Sequence, residues 1–210
     1  MTPNVQPLIF LATPLHDGRV HHAYMEGVLQ VAGAFPEQLI ISKVTGTNLP
    51  VSRDILTATF LRSPATHLLC VDSDIGWSGA DLQHLLEAGK DFVSGNYARK
   101  HPDRALVAPL RKEREGDLAE AQYAAAGFLL LTRGCVEQMV AAHPELRYET
   151  PKGEAWALWS PIFDILPYGE DVSFSMRWRA LGGKVWVHSL VTLRHYGDSL
   201  FMPAPSAGGR

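Results

Sequence analysis

The chain has 210 residues, 46% of them hydrophobic and 20% charged, and a formal net charge of −3. That is enough apolar chain to bury a full core as one domain. The slightly acidic balance, with no run of Lys and Arg, gives no general attraction to nucleic acid or to an anionic membrane.

Taken in order, strand-like and helix-like patterns alternate. Leu8 to Ala12 reads as a strand, His22 to Val31 as a helix, Leu39 to Ser42 as a second strand and Ser52 to Arg62 as a second helix. The apolar run from His67 ends abruptly at Asp72-Ser73-Asp74. Ser78 with Asp81 then forms a capping box ahead of Leu82, Leu85 and Leu86, which opens a helix from Gly79 to Ala88. Phe92 to Ser94 is a further strand, and the charged run Arg111 to Glu115 before Gly116-Asp117 reads as a solvated loop. Ala124 to Leu131 has the look of a buried strand and Cys135 to Ala142 of a helix, whereas Tyr148 to Tyr168 is too broken by Pro and Gly for a long regular element. Asp171 to Leu181 reads as a helix stopped by Gly182-Gly183, followed by short strands at Val185 to Val187 and Val191 to Leu193.

Such alternation predicts an α/β fold with a mainly parallel central sheet covered by helices on both faces. The tail 203–210, rich in Pro, Gly, Ala and Ser, is expected to be disordered. Cys70 and Cys135 are too few for a disulfide framework and read as buried, reduced packing residues. The opening Met-Thr-Pro-Asn-Val-Gln lacks a basic n-region, and the longest apolar stretch, around Tyr123 to Leu131, is too short to span a bilayer. No transmembrane segment is therefore expected, and the expected location is the cytoplasm.

Three constellations carry chemistry. Asp72 and Asp74 are delivered together by the end of a buried strand. Two carboxylates one residue apart repel unless solvated or bridged by a cation, and their oxygens suit Mg²⁺ or Mn²⁺, which leaves positions open for substrate phosphates. A diphosphate substrate follows. Glu170 and Asp171 follow Tyr168-Gly169 at a helix start, where Asp171 is a good N-cap; one carboxylate can cap while the other serves as a base or as an acceptor for sugar hydroxyls. His195, after a short apolar strand, is either a packing residue or a neutral ligand completing a cation site, which would favour Mn²⁺. In parallel sheets ligands sit beyond the carboxyl ends of the strands, which is where Thr13, Pro14, Asp72 and Asp74 fall. Trp156, Trp159 and Tyr168 are read as core or loop anchors, or together as acceptor-site walls or a lid. The cluster His16, His21 and His22 is read as surface or helix-start residues.

In their order, these features resemble the GT-A-fold glycosyltransferases that use nucleotide-sugar donors. The similarity rests on Val71-Asp72-Ser73-Asp74-Ile75, Gly169-Glu170-Asp171 and His195. It extends to Asn48 and Arg53, to Ser94-Gly95-Asn96-Tyr97-Ala98-Arg99-Lys100, and to Ala126-Gly127-Phe128-Leu129-Leu130. The resemblance implies one GT-A-like, Rossmann-like domain over residues 1–202. It also implies transfer of a sugar from a nucleoside-diphosphate sugar to a hydroxyl acceptor, with Mn²⁺ or Mg²⁺. Asp74 would hold the metal, Asp72 would share it or lie toward the donor ribose with Ser73, and His195 would be a third protein ligand. Arg53 would meet the diphosphate or the base, and Thr13 and Pro14 would border base and ribose through backbone groups. Asp171 would be the base and Glu170 an acceptor-hydroxyl ligand, or the reverse. Two other readings stand beside this one. A nucleotidyltransferase would want a Gly-rich loop after the first strand, where Thr13 to Arg19 has one glycine. A non-catalytic nucleotide-sugar or glycan-binding module would be expected to lack one of the acidic or histidine positions, and all are present.

Overall fold

The structure is a computed structural model describing residues 6–101, 106–164, 167–197 and 200–202; the expected tail 203–210 lies outside the described residues. In chain order the elements are β1 (Ile9–Leu15), α1 (His22–Ala34), β2 (Leu39–Thr45), α2 (Leu49–Arg62), β3 (His67–Val71), β4 (Ile75–Gly76), α3 (Gly79–Glu87) and β5 (Phe92–Asn96). There follow β6 (Leu110–Glu115), β7 (Leu118–Ala121), β8 (Phe128–Thr132), α4 (Arg133–Ala142), β9 (Arg147–Thr150), β10 (Gly153–Trp156), α5 (Glu170–Ala180), β11 (Val185–Thr192), β12 (Arg194–Tyr196) and β13 (Leu200–Phe201).

Eight strands form one sheet in the order β2-β1-β3-β8-β5-β11-β7-β6. Its strands run mostly one way, with β8 and β7 antiparallel to their neighbours. Alternate residues of each central strand enter opposite cores, as the two-residue period of a strand requires. Phe10, Leu68, Cys70, Leu129 and Leu131 face a core closed by α2, α4 and α5, through Leu56, Phe60, Val136, Met139 and Phe174. Ile9, Leu11, Leu69, Val71, Phe128 and Leu130 face the other, closed by α1 and α3 through Tyr24, Val28, Val31, Leu82 and Leu85. Helices thus cover both faces, as the sequence pattern predicts. Cys70 and Cys135 are free and buried. Among the described residues no helix is long and apolar enough to cross a membrane.

Several expectations need correction. The charged run at residues 111–115 is strand rather than loop: β6 pairs with β7 across Gly116, whose φ of 56° suits a residue without Cβ. Every β6 residue is exposed, so the strand is made by backbone pairing at a sheet edge that charged side chains keep soluble. The two short strands expected over 185–193 are largely one, β11, interrupted by an irregularity between His188 and Thr192. The broken stretch from Tyr148 begins as an antiparallel hairpin, β9–β10. Helix α5 is capped by Gly169, not Asp171, and has no side-chain cap; Glu170 and Asp171 lie in its first turn, where carboxylates favour the helix dipole. The capping box of Ser78 and Asp81 is present as read.

Strand β1 runs three residues further than expected, through Thr13 and Pro14 to Leu15. Pairing with β3 stops at Ala12, opposite Cys70, while β2 accompanies β1 to its end. Pro14, which has no N–H to donate, therefore sits where one flank of the strand has run out of partner.

Candidate functional site

The site lies where β1 and β3 end. Strand β3 gives out at Val71, and the chain turns tightly, with the Ile75 N–H donating to the Asp72 carbonyl at 3.1 Å. The Asp72 N–H donates to the Gly127 carbonyl at 3.1 Å, holding the turn against the strand that enters β8. The turn leads into β4, which pairs with β12 so that His195 stands opposite Ile75. The Tyr196 N–H donates to the Asp74 carbonyl at 2.9 Å. A two-residue strand thus brings together residues 121 positions apart in sequence, Asp74 and His195.

A cleft of about 260 Å³ opens here. Its walls are Pro14 and Leu15 from the end of β1 with His16 after it, Gly46 and Thr47 between β2 and α2, Leu49 at the start of α2, the turn Asp72-Ser73-Asp74, and Tyr97 with His195. Asp72, Ser73, Asp74, Pro14 and His195, all nominated by the sequence, meet in it. Thr13 does not: it is 1% exposed, and its hydroxyl lies 2.6 Å from that of Tyr24. The Ser73 carbonyl accepts from the His21 N–H at 2.8 Å. The His21 ring accepts from the Ala23 N–H and caps α1, the helix-start role expected of it.

The two aspartates of the turn face different partners. Asp72 accepts from the Arg53 guanidinium at 2.7 Å, and Nε of Arg53 lies 3.7 Å from Glu170. Arg53 is 3% exposed and packs over the Trp159 ring, 5.3 Å from its centroid. It does not line the cleft. Burial works to lower its pKa, yet the combined field of Asp72, Glu170 and their neighbours holds it above the ordinary value. Asp171 lies in the same inner cluster. Burial, reinforced by the Glu170 charge, pushes its carboxyl up to about 6, against the opposing pull of the Val172 N–H and Arg53. Trp159 is fully buried and stacked on Phe174 at 3.9 Å. It is a core residue and not an acceptor wall.

Asp74 faces outward. One of its oxygens accepts from Lys100, and the other lies 3.8 Å from Nε2 of His195. Nδ1 of His195 is 2.9 Å from the Ala98 carbonyl; a carbonyl can only accept, so Nδ1 carries a proton there, and Nε2 is the ring nitrogen turned toward Asp74. Tyr97 packs edge-on against this imidazole, with ring centroids 5.0 Å apart, and its hydroxyl accepts from the Gly127 N–H at 3.1 Å. An added Cβ at Gly127 would collide with that hydroxyl.

As a test of metal fit, Asp74 and Nε2 of His195 form a suitable pair of hard and borderline donors. Asp72, on the same turn, has one carboxylate oxygen, Oδ1, engaged by Arg53. Among the described residues no three carboxylate, histidine or cysteine side chains converge as a cation cage. The fit is to an ion held by two protein ligands and completed by water and substrate oxygens, the usual habit of Mg²⁺. Lys100 and Tyr97 are site residues that the sequence left unassigned. The rule that nominated Pro14, position beyond the carboxyl end of a strand, applies equally to the segment after β5 and would have found both.

No family model matches the chain, and no curated protein matches it. Among solved structures it is similar to one described as "Crystal Structure of A197 from STIV", with a TM-score of 0.58 at 18% identity over 96% of this chain and 97% of that one. It is also similar to "Crystal structure of GalNAc-T7 with UDP, GalNAc and Mn2+", with a TM-score of 0.50 at 10% identity over 90% of this chain and 44% of that one. At these identities what is shared is the fold alone.

Proposed function

We propose that the protein is a glycosyltransferase that moves a sugar from a nucleoside-diphosphate sugar to a hydroxyl acceptor, with Mn²⁺ or Mg²⁺ held by Asp74 and His195. The observation that carries this reading is the pairing of Asp74 with Nε2 of His195, 3.8 Å apart, on a cleft at the carboxyl ends of β1 and β3. The shared fold with a complex of UDP, GalNAc and Mn²⁺ adds support.

A bound ion would supply Lewis-acid stabilisation of the departing nucleoside diphosphate. The other tasks fall to the chain. Pro14, Leu15, Thr47 and Leu49 form the less polar wall, suited to base and ribose, and Ser73 and Asp72 stand beside it. Arg53, too buried to reach a ligand, fixes Asp72 and Glu170 in place. Asp171 is the base: its raised pKa leaves it ionised at neutral pH, yet basic enough to take a hydroxyl proton as that oxygen attacks. Glu170 is the alternative base or the acceptor-hydroxyl ligand.

The test is a thermal-shift screen of nucleoside diphosphates and nucleotide sugars with and without Mn²⁺, followed by calorimetry on the best ligand. A cation-dependent shift in the wild type that disappears in Asp74→Asn is expected. Nucleotide binding indifferent to both the cation and Asp74 would refute the reading.

A further inference from the structure

Lys100 donates to Asp74, on the oxygen opposite the one near His195. It ends a short segment that touches each part of the outer site. The Tyr97 hydroxyl accepts from Gly127, the Ala98 carbonyl accepts from Nδ1 of His195, and two residues on Lys100 neutralises the carboxylate. The contrast with Arg53 is instructive. Arg53 is 3% exposed, whereas the side chains of Lys100 and Asp74 are 37% and 36% exposed, so water can compensate both partners when they part. The ammonium lies against the carboxylate that has the His195 imidazole beside it. A divalent ion on Asp74 and His195 would bring a double positive charge close to that ammonium, and like charges so close repel strongly. Lys is a mobile point charge on a flexible stem and can withdraw where a forked guanidinium would not.

Building on the metal-site reading above, we propose that Lys100 is the resident counter-ion of Asp74. It occupies the carboxylate while no metal is bound, is displaced when a divalent cation arrives, and then meets the diphosphate of the nucleotide. Metal and lysine therefore compete for one carboxylate, and the cation site forms only at the expense of an ion pair within the chain.

The experiment uses the full chain and two readouts that do not depend on turnover. In the first, Lys100 is acetylated by a trace of amine reagent and its peptide quantified by mass spectrometry. Labelling should rise severalfold when Mn²⁺ alone is added and fall again when UDP follows. In the second, free Mn²⁺ is measured by electron paramagnetic resonance. Lys100→Met should bind Mn²⁺ about tenfold more tightly than the wild type, and Asp74→Asn should lose binding. Wild-type binding that depends on Asp74, with Lys100 labelling unmoved by Mn²⁺ and Lys100→Met no tighter, would overturn the counter-ion role and leave the metal site standing. Labelling that stays raised after UDP would remove the diphosphate contact. Absence of Mn²⁺ binding in wild type and Lys100→Met alike would overturn both the counter-ion role and the metal reading.

Discussion

Asp72 and Asp74 leave the same turn and belong to different halves of the site, only the outer of which lies wholly along the cleft or at its rim. The inner half, Asp72 with Arg53, Glu170 and Asp171, is built on a guanidinium that is almost wholly buried, with Nε and Nη1 lacking a hydrogen-bond partner among the described residues. The outer half, Asp74 with Lys100 and His195, is partly exposed. Buried charges that lose a partner have nowhere to turn, so the inner half is a fixed brace between β3 and α5. Exposed charges can trade partners for water or ligand at small cost, so the outer half is where binding is expected.

The widest separation of the two halves should appear in turnover. Asp171→Asn keeps the shape of the inner half and removes the proposed base; sugar transfer should slow by about a hundredfold to ten-thousandfold with donor affinity unchanged, as read by steady-state kinetics and calorimetry. Since Asp171 is pushed up to about 6 and must be ionised to accept a proton, the wild-type rate should fall as pH drops through that value. Full turnover in Asp171→Asn would transfer the role to Glu170. Next, Arg53→Met should cost on the order of 3 kcal/mol in chemical denaturation, because it strands Asp72 and Glu170 without their shared cation. By contrast Lys100→Met, in the exposed half, should stay within about 0.5 kcal/mol of the wild type. Equal losses from the two variants would erase the distinction between brace and binding half.

A pH-dependent effect is expected at Asp54, the neighbour of Arg53 on α2. It is 1% exposed and accepts from the Trp159 N–H at 3.0 Å and the Tyr148 hydroxyl at 3.1 Å, thereby tying the loop that carries Trp159. Burial pushes its carboxyl up to about 7, although these hydrogen bonds and Arg177 oppose the shift. The folded chain therefore keeps this proton where the unfolded chain has released it. From about pH 4, the ordinary range of an aspartate, up to about pH 7, this group makes stability fall as pH rises. Asp54→Asn should remove that part of the slope, measured as the pH dependence of the unfolding midpoint.

What was legible in the sequence follows the same division. Buried strands announced themselves by apolar runs, α3 by its capping box, and the aspartate turn by the halt of such a run at Asp72. Strand direction was not legible for β8, because Phe128 to Thr132 is apolar on both faces and reads alike forwards or backwards. Strand β6 was missed because its exposed charged residues carry no alternation; only backbone pairing makes it a strand. Of the site, the acids and His195 could be named by type. Their partners could not, since the link from Arg53 to Asp72 depends on how α2 lies against β3, and that from Lys100 to Asp74 on the course of the chain after β5.

Gly127 gives the cleft a vulnerability that involves no charge at all. Its N–H and carbonyl anchor Tyr97 and Asp72 respectively, and the phenol occupies the very space a methyl group would need. Gly127→Ala would evict the phenol, free the imidazole it braces, and blunt any cation affinity of the proposed Asp74–His195 pair while leaving each ionisable side chain intact. The calibre of the opening is thus set by one missing carbon atom.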